Sequence, residues 1–88
     1  MPKQPVAWYN LGLSYMALKQ YDNAIGAFQK VTTLIPDDPE PWIWLSNAYQ
    51  QKGMGKEADT AYAKASGLRA KRIQQLQQQR QQQMQQRR

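Results

Sequence analysis

The feature that most constrains this chain is an internal repeat. Set against itself at an offset of 34 residues, the sequence pairs Trp8 with Trp42, Leu11 with Leu45, Tyr15 with Tyr49, Ala24 with Ala58, Phe28 with Tyr62, Lys30 with Lys64 and Leu34 with Leu68. A repeat of this length marks a supersecondary unit that cannot bury its apolar face alone and must stack on a neighbour. Within each unit the spacing is helical. Trp8, Leu11, Gly12 and Tyr15 fall at i, i+3, i+4 and i+7, and Trp42, Leu45, Ser46 and Tyr49 do the same. Ala24, Phe28 and Val31, then Ala58, Tyr62 and Ala65, mark one face of a second helix in each unit. The small residues Gly12, Ala24, Ser46 and Ala58 are expected where the paired helices approach closely, because bulk there would wedge them apart.

The boundaries are written in turn chemistry. Pro36 ends one helix, Asp38 can cap the next, and Pro39 suits its first position, where a missing amide costs nothing. Pro41 is tolerated in the same first turn. In the second unit Gly53 supplies a stop and Gly55 loosens the turn; Lys19-Gln20-Tyr21-Asp22 is the corresponding turn of the first.

With these residues in place, each unit resembles a tetratricopeptide repeat, whose pattern is W-x2-L-G-x2-Y, then A-x3-F, then P. The first unit supplies Trp8, Leu11, Gly12, Tyr15, Ala24, Phe28 and Pro36, with Val31 in place of the usual alanine. The second supplies Trp42, Leu45, Tyr49, Ala58, Tyr62 and Ala65, with Ser46 for glycine and Ala70 where the closing proline is expected. The expected organisation is a lead at 1–4, repeats at 5–38 and 39–72, and a tail at 73–88: a short all-α solenoid followed by a long basic, glutamine-rich helix. Losing the proline at Ala70 lets the last repeat helix run toward the tail, with Gly67 the expected place for a break. The consensus aromatics Trp8, Tyr15, Phe28, Trp42, Tyr49 and Tyr62 are expected to be core.

The resemblance implies a protein-binding module whose first helices line a concave groove for a peptide or a partner helix. Helical phase carries that face onto Val6, Tyr9, Leu13 and Met16 of the first unit and Glu40, Ile43, Asn47 and Gln50 of the second, with Trp44 beside them. Family members that clamp a C-terminal carboxylate place lysine, asparagine and arginine here; Tyr9, Leu13, Ile43 and Trp44 stand in the comparable region, which argues against such a clamp. An exposed cluster of Tyr9, Leu13, Met16, Ile43 and Trp44 is expected to be buried by an apolar peptide, an amphipathic helix, a second copy of the chain, or the tail itself.

Charge divides the chain. Residues 1–68 hold six lysines and six acids, so the net charge of +6 sits wholly in Arg69, Lys71, Arg72, Arg80, Arg87 and Arg88. From Ile73 to Arg88 ten of sixteen residues are glutamine, with no acid, glycine or proline to disfavour a helix. Apolar positions are sparse (Leu68, Ile73, Leu76 and Met84), enough to cover the open face of the last repeat near its start but too thin for a long coiled coil. These cations admit binding to nucleic acid or an anionic membrane surface. The tail lacks aromatics for base stacking and apolar area for lipid insertion, so a solvated helix or a docking arm for an acidic protein patch is the better reading.

Enzymatic chemistry finds no foothold. The chain has no cysteine or histidine, which removes thiolates, imidazole bases and the commonest zinc ligands, and no cofactor or metal is expected. Asp37, Asp38 and Glu40 are explained by helix capping. Gly53-Met54-Gly55-Lys56 lacks the glycine spacing and the following hydroxyl residue of a phosphate loop. No apolar run reaches the roughly 18 residues of a membrane span, and the lack of cysteine fits the cytoplasm or another reducing soluble compartment.

Overall fold

The computed structural model describes residues 4–86, and no strand occurs among them. Four helices follow one another: α1 (Pro5–Ala17), α2 (Tyr21–Leu34), α3 (Pro39–Gln51) and α4 (Gly55–Gln86). Each packs on the next in sequence, α1 on α2, α2 on α3 and α3 on α4. The result is two helical hairpins stacked through α2 and α3.

Local chemistry sets the ends. Asp38 caps α3 by accepting a hydrogen bond from the Glu40 amide at 3.0 Å, with Pro39 in the first turn. α1 and α3 close with the same turn. The Gln20 amide donates to the Tyr15 carbonyl at 2.8 Å, the Met54 amide donates to the Tyr49 carbonyl at 2.8 Å, and the residue before each donor is left-handed. That residue is Gly53 in the second hairpin, at φ 77°, but Lys19 in the first, at φ 60°. Lysine pays a steric penalty there that glycine avoids.

The core centres on Phe28, which is fully buried and lies in one cluster with Ala24, Leu45, Ala48 and Ala61. Tyr9 meets its ring edge-on at 6.0 Å and Trp44 stacks on it at 6.2 Å, so one side chain joins α1, α2 and α3. Gly12 makes room for it: a Cβ there would stand 2.6 Å from the ring. At the matching position of the second hairpin the Ser46 hydroxyl donates to the Ala58 carbonyl at 2.8 Å, tying α3 to α4. Trp42 is anchored by its indole N–H, which donates to the Pro36 carbonyl at 3.1 Å, and Tyr49 by the Gln29 amide, which donates to its hydroxyl at 3.0 Å.

Three expectations are corrected. Tyr62 is not core: it is 55 % exposed, because no helix stands on α4 as α3 stands on α2. Gly67 does not break the last helix; α4 passes through it without interruption, flanked by Ala65, Leu68 and Ala70, all helix-compatible. The tail does not cover the open face of the last repeat either. It continues α4 outward for about 20 Å beyond residue 73 at 1.5 Å per residue, leaving Ile73 and Leu76 exposed.

Candidate partner-binding surface

Val6 is 67 % exposed, Glu40, Asn47 and Gln50 are exposed, and Tyr9, Leu13, Met16, Ile43 and Trp44 are half-buried. The apolar cluster is thus smaller than the sequence led one to expect. Tyr9, Leu13, Met16 and Trp44 turn partly inward and pack against the Phe28 core, so only an edge of each meets solvent.

The residues that do enclose space together are Val6, Tyr9 and Glu40. With Pro5, Val31, Ile35, Asp38 and Pro41 they line a cavity of about 290 Å³ between the starts of α1 and α3. Helical phase along the first helices could not reveal Val31 and Ile35, which belong to the last turn and end of α2. They lie beside the start of α1 because α2 packs back along it, and the Ile35–Asp38 connection then leads into α3. The walls are apolar and the rim carries two carboxylates. Tyr9 registers that setting: burial pushes its phenol up from 10.0, Glu40 and Asp38 push the same way, and a hydrogen bond with Trp44 opposes them.

A second cleft, about 350 Å³, opens between α3 and α4 and is lined by Trp42, Leu45, Tyr49, Lys56, Glu57, Thr60 and Ala61. By the repeat motif its aromatics, Trp42 and Tyr49, are core positions. They are half-buried, because Thr60 and Ala61 are too small to cover them.

The cations fall into two groups. Arg69, Lys71 and Arg72 lie beside the acidic connection between hairpins; Arg69 reaches Glu40 at 3.7 Å, and Lys71 and Arg72 line a shallow hollow with Asp37. Arg80 stands further along the exposed tail. Arg87 and Arg88 lie outside the described residues.

Two sequence profiles described as tetratricopeptide repeat match the chain, one over residues 5–38 and the other over 39–72. The chain belongs to the tetratricopeptide repeat family. Its fold is similar to that in the crystal structure of MamA, with a TM-score of 0.79 and 29% sequence identity over 82% of this chain. The match spans 42% of the MamA chain, so this sequence corresponds to less than half of that chain's length. No curated protein matches the sequence closely enough to add to this. Tetratricopeptide repeats generally mediate protein–protein interaction and scaffolding. No helix among the described residues is long and apolar enough to cross a membrane.

Proposed function

We propose that this chain is a non-enzymatic scaffold or assembly factor that holds a peptide or helix of a partner protein against the outer face of α1 and α3. The observation that carries the reading is the apolar cavity between Val6, Tyr9, Ile35 and Pro41, open to solvent at the point where the two repeats meet. A small protein gains by covering such a surface. An apolar side chain fits the cavity, and a neighbouring basic residue would answer Asp38 and Glu40 at the rim. Ile43, Asn47 and Gln50 extend the contact along α3, while Leu13 and Met16 support it from α1. The absence of cysteine suits a reducing compartment such as the cytoplasm.

Val6→Asp with Ile43→Asp tests the reading without touching the Phe28 core. In a pull-down from native lysate the double variant should lose the partner held by the wild type while its helical circular dichroism stays unchanged. An unchanged partner profile would remove this face from the account.

A further inference from the structure

The exposed side of α4 carries a second surface, which meets the cavity between α1 and α3 only through the Arg69–Glu40 pair. Tyr62, Ser66, Arg69, Ile73, Leu76, Arg80 and Gln83 are spaced alternately by four and three residues and so fall on one seam of the helix. All are exposed, with Ile73 at 55 % and Leu76 at 56 %. The seam extends the face on which α2 receives α3, since Tyr62 stands at the position of Phe28, where Trp44 stacks. It runs about 30 Å at 1.5 Å per residue, room for a helix of roughly 20 residues.

Two arginines in that seam decide what can lie on it. No acid follows Asp59 in the sequence. A second copy docked in parallel would set Arg69 against Arg69 and Arg80 against Arg80. Docked antiparallel with Ile73 on Leu76, it would set Arg69 against Arg80. Both arrangements bury guanidinium against guanidinium, which disfavours self-pairing. Glu40 already offers Arg69 a carboxylate at 3.7 Å, whereas Arg80 has no carboxylate in ion-pairing range among the described residues.

We infer that the α4 seam is a docking rail for an acidic amphipathic helix of a different protein. That helix carries two acids on either side of two apolar residues, in the order acid, x3, apolar, x2, apolar, x3, acid. The spacing mirrors Arg69, Ile73, Leu76 and Arg80 and reads the same in either direction, so the rail accepts a parallel or an antiparallel partner. The apolar pair supplies contact area, and the acids supply the choice of partner.

A fluorescein-labelled helical peptide with Glu-x3-Leu-x2-Leu-x3-Glu in an alanine and glutamine background tests this against the full chain. Its anisotropy titration should saturate. A control peptide with lysine in place of both glutamates should bind at least about tenfold more weakly, because its charges oppose the two arginines. Arg80→Glu should weaken the glutamate peptide by a similar factor and recover binding to a peptide with lysine at the matching position. Ile73→Ser with Leu76→Ser should abolish binding while circular dichroism is retained. Equal binding of the glutamate and lysine peptides, or no binding of either, would overturn the inference. So would tighter binding of an oligouridylate that displaces the peptide, which would make the rail a nucleic-acid surface. Sedimentation showing self-association lost in the Ile73→Ser, Leu76→Ser chain would overturn it in favour of a second copy. None of these outcomes bears on the Val6 and Ile43 test.

Discussion

The two hairpins share a pattern but not a burden. Phe28 is fully buried under α3, while Tyr62, its counterpart, is 55 % exposed on α4. Around them Ile25 and Thr32 on α2 and Ile35 at its end give way to Asp59, Ser66 and Arg69 on α4, so the receiving face of the second hairpin is more polar and charged than that of the first. The exchange gives the second hairpin a face that tolerates water. Position in the motif therefore fixes which way a side chain points, and the neighbouring helix decides whether it is buried.

The largest difference should appear at the paired aromatics. Phe28→Ala is expected to cost about 3–5 kcal/mol, enough to unfold much of a body this small, whereas Tyr62→Ala should cost less than about 1 kcal/mol. Urea titrations of the two variants compare them directly; equal losses would mean that α4 is covered in solution. Next in size is the close approach between paired helices. Gly12→Ala drives a methyl into the Phe28 ring and should destabilise by about 1–3 kcal/mol. Ser46→Ala keeps the volume small and removes only the bond to the Ala58 carbonyl, for about 1 kcal/mol.

The two left-handed turns offer a comparison with opposite signs. Lys19→Gly should stabilise the chain by about 1 kcal/mol, and Gly53→Ala should destabilise it by a similar amount, both read from thermal unfolding. The smallest effect belongs to Tyr9. Its phenol is raised in the folded chain, so the neutral form is favoured there. The contribution is complete below pH 10.0 and is lost as pH rises from 10.0 through the raised value. Unfolding measured against pH should show a shallower alkaline decline in Tyr9→Phe than in the wild type.

Much of this architecture is legible in the sequence because short-range chemistry specifies it. Proline and aspartate at the repeat junction mark where α2 stops and α3 starts, Gly53 marks the turn, and the apolar spacing gives each helix its inward face. What escapes is whatever depends on an absent or distant neighbour. Tyr62 matches the motif as well as Phe28 does, and only the missing helix above it distinguishes them. Gly67 reads as a break, yet one glycine costs a helix only about 1 kcal/mol and the residues on both sides sustain it. Lys19 carries no sequence sign of its backbone conformation except its alignment with Gly53. At the candidate site, helical phase reached Val6, Tyr9 and Glu40 but not Val31 and Ile35, which α2 contributes from behind. It also overstated how far Tyr9, Leu13 and Trp44 face outward, since each also serves the core.

Hydrogen exchange of the full chain, free and with its captured partner, tests the central claim most directly, because α1 lines the cavity beside Val6 and Tyr9 but not the cleft beside Trp42 and Tyr49. The account predicts new protection along α1, in residues 5–16, together with the first turns of α3. Protection confined to residues 56–61 of α4, with α1 unchanged, would place the partner in the cleft beside Trp42 and Tyr49 and contradict it.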